Sequence, residues 1–485
     1  MPSEYDYDLF VIGSGPAGQR AAIQAAKLGK RVAIAERKAV VGGAWINTGT
    51  IPSKTLREAV LYLSGYRLRE LYGASYSVKQ DISMSDLLVR TDHVVKQELD
   101  ITRHQLQRND VELISAEASF IDANTLHLGS VKDRGQRSVT ADKVVVATGT
   151  TDTRAPDIEF DGLRILASDD IPKMSKIPKS LAVIGAGVIG SEYASMFAAL
   201  GVRVTLIDKR EHLLDFIDAE IVDALIYHLR ENRVILRLGE EVTAIERIET
   251  NVGEQVRIHL ASGKKLTSEL ALYSIGRTGA TQELGLPSVG LKPDDRGRLA
   301  VNEDYQTEVP SIYAVGDVIG FPSLASTSME QGRLAARHAF GMKTKSLPEL
   351  FPYGIYTIPE ISIVGKNEQE LTKAGVPYEV GKAHYREIAR GQILGDSSGL
   401  LKLVFRHGSG ELLGVHIIGE GASELIHIGQ AVLAFGGNVD YFINTVFNYP
   451  TLAEGYKTAA FDGINRMGSA SDTISIRPMG KEALS

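Results

Sequence analysis

At 485 residues, 44% of them apolar and 23% charged, the chain has a globular composition and is too long for a single core, so two to four domains are expected. A net charge of −7 argues against a nucleic-acid groove or an anionic membrane surface as partner. The absence of cysteine excludes a disulfide framework, a thiolate metal site and dithiol catalysis.

The chain opens on "MPSEYDYDLF", which lacks the basic-then-apolar order of a signal peptide, and a cytoplasmic location is expected. "DLFVIGSGPAG" then predicts a strand running into a turn that carries Gly13, Gly15 and Gly18. The helical run "QRAAIQAAKLG" follows, and after it the strand "RVAIAE", ending at Glu36. This is a complete βαβ dinucleotide unit. Its glycines allow the tight turn and let the backbone approach a pyrophosphate. The helix N-terminus adds free N–H groups and partial positive charge. The acid accepts from ribose hydroxyls. Next comes the loop "GGAWINTGTIPSK" (42–54), with Gly43, Trp45, Thr50 and Lys54. Residues 55–140 read as helical and charged, then as short hairpin strands. "KVVVATGTTDTR" (143–154) reads as the buried return strand of the first domain, ending in a turn with Thr148 and Gly149.

A second unit starts at "LAVIGAGVIG", with Gly185, Gly187 and Gly190, continues as "SEYASMFAALG" and closes with "RVTLID" at Asp208. Its apolar run from Leu181 to Val204 contains Glu192 and the glycine turn, so it reads as strand–turn–helix and not as a membrane span. In both copies the acid lies 18 residues beyond the third glycine. Neither copy has lost a glycine or its acid, so two nucleotide sites are a better reading than one site and a degenerate relic. Asp208 suits a free ribose 2′-OH and repels a 2′-phosphate; Arg210 could neutralise and bind that phosphate, whereas Lys209 reads as solvated. Gly276 and Arg277, in "SIGRTG", are placed near nucleotide phosphates, with a structural ion pair as the alternative for Arg277. "YQTEVPSIYAVGDV" predicts a strand ending at Gly316 and Asp317, followed by a helix. Beyond about residue 346 the texture changes to antiparallel strands and two helices, an α+β domain, and after Gly468 to a polar, loosely held tail. Glu424 and His427 have the i, i+3 spacing of metal ligands, but a single such pair reads as structural. His416 reads as a core or interface residue.

Taken together, Gly13-x-Gly15-x-x-Gly18 with Glu36, "GG…IPSK", Ala147-Thr148-Gly149, the second glycine motif and "AVGD" resemble the flavoprotein disulfide reductases over residues 5 to 467. The resemblance implies an α/β chain with two Rossmann-like dinucleotide-binding domains and a C-terminal α+β dimerisation domain. Residues 1–154 and 276–345 would bind FAD, 155–275 would bind NAD(P), and 346–467 would form a homodimer. By position, Glu36 would bind the FAD ribose and Asp317 the ribityl chain. Lys54 and Glu192 would lie beside the flavin, near its N5 position and the nicotinamide. The family's His-Pro…Glu element, supplied from the partner subunit, corresponds to Tyr449, Pro450 and Glu454.

Two departures carry information. Trp45 and Thr50 stand at the positions of that family's redox cysteines, and Tyr449 replaces its histidine. A phenol with an ordinary pKa of about 10 is a poor base near neutrality, so Tyr449 reads as an interface hydrogen-bonding residue. Trp45 reads as a core or flavin-packing residue. Disulfide reduction needs a thiolate relay and a proton donor; hydride exchange between two nicotinamides through a flavin needs neither. One branch of the family, the soluble pyridine nucleotide transhydrogenases, is similar to "GTIPSK", "GAGVIGSEYAS", "SIGRTGAT", "AVGDVIGFPSLAS" and "FNYPTLAEGY". The resemblance therefore implies FAD, NADP and NAD as cofactors and substrates, with ping-pong passage of hydride from NADPH to NAD+. The alternatives are an NAD(P)H dehydrogenase with a quinone or other acceptor, and a non-catalytic flavoprotein.

Overall fold

The computed structural model describes residues 4–130, 136–251, 253–344 and 350–467; the expected loose tail lies outside the described residues. Strand β1 (Tyr7–Ile12) is central to the first domain. It pairs in parallel with β2 (Val32–Glu36) and with Gln136–Val146. The parallel sheet continues to Glu112–Phe120 on one side and to Ile312–Ala314 on the other. Leu9, Phe10 and Val11 are all fully buried. A run of apolar side chains on both faces is what a parallel strand covered on both sides requires. Helix α1 (Pro16–Lys27) connects β1 to β2, and Ala325–Ala339 packs beside it. Two short helices follow β2: α2 (Gly43–Asn47) and α3 (Thr50–Leu63).

The second domain repeats the plan. Strand β3 (Ser180–Ile184), helix α4 (Val188–Ala199) and strand β4 (Arg203–Asp208) build its crossover. The parallel sheet runs in the order Ile235–Leu238, β4, β3, Leu270–Tyr273, Ile165–Ala167. The return strand ends at Val146 and the turn at Thr148 and Gly149 follows it, as expected; the residues beyond the turn form a strand of their own. Gln136–Val146 belongs to the first sheet, whereas Thr150–Asp152 leaves it to pair with Arg277–Gly279 in a two-stranded ribbon between the domains. Gly149, at φ +66, supplies the left-handed turn at which the chain changes direction.

The C-terminal domain is a five-stranded antiparallel sheet, ordered Tyr353–Ile355, Ile361–Gly365, Leu412–Ile418, Leu400–Arg406, Tyr378–His384, with helices Ala422–Ala434 and Glu454–Arg466. Lys402 and His416 are cross-strand partners in it, and both are fully buried. The Lys402 ammonium meets Asp218 at 2.7 Å and Glu220 at 3.1 Å, both in the second domain, and also pairs with Glu368. Among the described residues these three carboxylates are the one group close enough to hold a metal ion, and a lysine fills it. His416 is a core residue whose Nε2 donates to the Lys366 carbonyl at 3.0 Å, while its buried Nδ1 has no hydrogen-bond partner among the described residues. His427 contacts Gln430 at 2.8 Å and joins no such group. Among the described residues, no helix is long and apolar enough to cross a membrane.

Candidate active site

The two glycine turns fold alike down to single atoms. Gly13 and Gly185 have φ of +105 and +102. A Cβ on Gly13 would lie 2.5 Å from the Ala147 carbonyl oxygen, and one on Gly185 would lie 2.6 Å from that of Ser274. A Cβ on the third glycine would strike the carbonyl oxygen of the first, at 2.0 Å for Gly18 and 1.8 Å for Gly190. These four positions are glycine because the protein itself leaves no room. The second glycines differ: a Cβ on Gly15 or Gly187 would meet no atom within 4 Å. Both border an open cleft, so the space beside them is reserved for a ligand.

The terminal acids are held alike as well. Glu36 Oε2 accepts from the Ser14 N–H at 3.2 Å and from its hydroxyl at 2.6 Å, while Oε1 accepts from the Lys38 N–H at 2.9 Å. Asp208 Oδ2 accepts from the Ala186 N–H at 2.6 Å, and Oδ1 from the Arg210 N–H at 2.8 Å. Each acid is thus fixed by the residue after the first glycine and by the residue two beyond itself. The second copy adds a charge. The Arg210 guanidinium grips Asp208 at 3.0 and 2.8 Å. Burial pushes the Asp208 carboxyl up, but the Arg210 hydrogen bonds more than offset this and hold it below its ordinary range.

One continuous cleft of about 1650 Å³ joins both units. The loop around Gly43, Thr50 and Lys54 borders it, as do Thr148, Gly149 and Asp317. Burial raises the Asp317 carboxyl, partly countered by Arg277. At the junction, Lys54 on α3 reaches Glu192 on α4 at 2.9 and 2.8 Å. Glu192 also accepts from the Tyr356 N–H at 2.9 Å, and the Lys54 ammonium lies 4.9 Å from the Tyr356 ring centre. Three domains therefore converge on one cation.

Not every expected site residue takes the expected place. Gly18 and Gly190 do not border the cleft; they act by letting helix approach strand. Arg277 is a clamp: it bonds Thr150 through Oγ1 at 2.9 Å and the carbonyl at 3.0 Å, Asp152 at 2.8 Å and Asp169 at 3.3 Å. Its guanidinium thus makes the structural ion pairs that stood as the alternative in the sequence, while Arg277 also borders the cleft. Gly276 beside it has φ +140 and faces the cleft. Tyr449 is 74% exposed, and neither it nor Glu454 borders the cleft of its own chain. Ser14, Tyr356 and Asp152 went unnoticed in the sequence, because their partners lie 22 to 164 residues away.

Trp45, Thr48 and Thr148 line the cleft, but Trp45 Nε1, Thr48 Oγ1 and Thr148 Oγ1 are covered by protein and have no hydrogen-bond partner among the described residues. The open space at Gly15, at the N-terminus of α1, and the fixed carboxylate of Glu36 along the same cleft fit a dinucleotide such as FAD in the first unit.

Such a cleft defines a two-dinucleotide flavoprotein of the reductase type. The model of the pyridine nucleotide-disulphide oxidoreductases matches residues 7–332, and that of their dimerisation domain matches residues 351–460. The chain belongs to the pyridine nucleotide-disulphide oxidoreductase family. It is 56% identical over 463 residues, 95% of this chain and 98% of the relative, to the soluble pyridine nucleotide transhydrogenase of Mycobacterium bovis (strain BCG / Pasteur 1173P2). It is 47% identical over 471 residues to that of Colwellia psychrerythraea, covering 96% of this chain and 100% of the relative. Among solved structures, LpdA from Mycobacterium tuberculosis superposes with a TM-score of 0.84 at 27% identity, over 93% of this chain and 99% of that one. The HOCl-induced flavoprotein disulfide reductase RclA from Escherichia coli does so with a TM-score of 0.83 at 26% identity, over 94% and 99%.

Proposed function

We propose that the protein is an FAD-dependent transhydrogenase that moves a hydride from NADPH to NAD+. The observation that carries this reading is the single cleft into which both glycine units open, in a chain with no cysteine at all. The names of the relatives support the substrate pair. When bound, FAD supplies the two-electron chemistry that takes hydride from one nicotinamide and gives it to the next.

The chain's own residues bind and orient. Gly15, Thr148, Gly149 and Asp317 line the FAD side of the cleft, and Glu36 faces it with fixed carboxylate oxygens. Gly187, Gly276 and Asp208 line the nucleotide side. Lys54, neutralised and aimed by Glu192, holds a cationic N–H cluster at the junction, where it can orient negative charge without giving up a proton. No imidazole or thiol is required. Asp208 serves the ribose 2′-OH of NAD, and Arg210, on release from Asp208, serves the 2′-phosphate of NADP. One pocket used in turn by both nucleotides implies ping-pong turnover. Tyr449 and Glu454 lie away from their own chain's cleft, so any part they take belongs to the partner subunit's cleft in the dimer. The relatives' names as soluble enzymes support a cytoplasmic reaction.

The test is anaerobic mixing of FAD-loaded protein with NADPH and the thionicotinamide analogue of NAD+. Rapid formation of the reduced analogue supports the reading. A bleached flavin with an unchanged analogue contradicts it and directs attention to another acceptor.

A further inference from the structure

Tyr353 opens the edge strand Tyr353–Ile355 of the C-terminal sheet, and it borders the cleft. Backbone groups just beyond it hold this strand against α4, the helix that starts at the second glycine turn. The Tyr356 N–H donates to Glu192 at 2.9 Å, and the Ile358 N–H donates to the Ser195 hydroxyl at 3.0 Å. Ile355, on the same strand, is fully buried and anchors it. The Tyr353 ring packs edge-on against Phe216 of the second domain, with ring centres 5.2 Å apart and planes at 68°. The C-terminal domain thus places one tyrosine against the second nucleotide unit and fixes it there.

The Tyr353 hydroxyl makes no hydrogen bond to any described residue. Unlike Trp45 Nε1 and Thr148 Oγ1, it is not covered by protein. Burial pushes its phenol up, and the carboxylates of Glu192 and Asp317 add to this; both border the cleft. The open hydroxyl therefore faces the cleft, at the junction of the two nucleotide units. Such a phenol stays protonated near neutrality, and a neutral O–H can both donate and accept. Along the second unit, Asp208 and Arg210 stand at the end of β4 and suit the adenosine end of a dinucleotide. Glu192 and Tyr353 stand at the opposite end of the site, beside Lys54. A primary amide, with one acceptor oxygen and an N–H donor group, matches a neutral hydroxyl there.

We propose that Tyr353 contacts the dinucleotide substrate, its hydroxyl hydrogen-bonding the carboxamide of the nicotinamide ring. The inference rests on the transhydrogenase reading above and names a residue that orients the ring at the junction. It does so without exchanging a proton, as hydride passage allows.

The test compares wild type and Tyr353→Phe, both loaded with FAD and oxidised, by titration calorimetry. NADP+ carries the nicotinamide; adenosine 2′,5′-bisphosphate has the same phosphorylated adenosine and lacks it. Phenylalanine keeps the ring against Phe216 and removes only the hydroxyl. NADP+ should bind the variant about fivefold more weakly, the equivalent of one neutral hydrogen bond. The bisphosphate should bind both proteins alike, and FAD dissociation and melting temperature should not change. Unchanged NADP+ binding would overturn the proposal. So would equal weakening of NADP+ and the bisphosphate, which would show a shifted domain and not a lost contact. Weaker FAD binding with NADP+ unaffected would give the hydroxyl to the flavin and overturn it as well. If wild type binds neither NADP+ nor the bisphosphate, the functional reading fails, and this inference with it.

Discussion

Lys54 and Glu192, 138 residues apart in sequence, meet through two hydrogen bonds of 2.9 and 2.8 Å and tie the first domain to the second along the shared cleft. The Glu192 side chain is 4% exposed. A carboxylate that buried requires its cation, and breaking such a pair from one side costs about 3 kcal/mol. Lys54→Met should therefore lower thermal stability and slow flavin bleaching by NADPH by about 100-fold, the scale of losing one fixed electrostatic donor. Stopped-flow absorbance of the FAD-loaded variant measures the second effect. Bleaching at the wild-type rate would remove Lys54 from the chemistry and leave it a structural role.

Nucleotide choice should divide between Asp208 and Arg210. Arg210→Ala removes the one guanidinium that can exchange Asp208 for a 2′-phosphate. The KM for NADPH should rise about tenfold or more while that for NADH changes little. Asp208→Asn should show the reverse bias, losing NADH. Steady-state kinetics with each nucleotide separates the two outcomes.

With no cysteine in the chain, reduction should end at the flavin. Anaerobic titration should consume one equivalent of NADPH per FAD, with no long-wavelength thiolate–flavin band at any point. Consumption of two equivalents would mean that a second redox centre exists.

The Lys402 cluster sets a pH dependence. Burial pushes Asp218 and Glu220 upward, but His416 and the Lys402 ammonium at Asp218, and Lys382 followed by Lys402 at Glu220, more than offset it, and both titrate below their ordinary range. The stability they contribute is present above that range and is lost as pH falls through it. Lys402→Met should cost about 3 kcal/mol near neutrality by stranding like charges. It should also reverse the trend, because its carboxylates would be relieved by protonation. Melting temperatures give the sign: wild type should lose stability only below about pH 4.5, whereas the variant should gain it between about pH 7.5 and pH 5.

Both nucleotide units were legible in the sequence, because strand, turn, helix and acid lie within about 30 residues and each position has a local steric reason. Glu36 and Asp208 could be placed for the same reason. What the sequence concealed is long-range. Arg277 reads in the sequence as a phosphate contact or a structural ion pair, and only the fold shows that Asp152 and Asp169 are the partners of that pair. Lys402, inside "LLKLVFR", looks like the solvated position of an amphipathic strand; it is buried because another domain brings carboxylates to it. Tyr356 contributes its backbone N–H, which no residue type announces. Gly18 and Gly190 are readable as parts of the glycine turns, but only the fold shows that a Cβ on either would strike the carbonyl oxygen of the first glycine.

The most direct measurement separates the two half-reactions. FAD-loaded protein is reduced anaerobically with one equivalent of NADPH, freed of NADP+ by rapid desalting, and mixed with NAD+ alone. Full return of the oxidised flavin spectrum with one NADH formed per FAD is the predicted result: one pocket, used twice, with no thiol. A reduced enzyme that stays reduced in NAD+ would contradict the account.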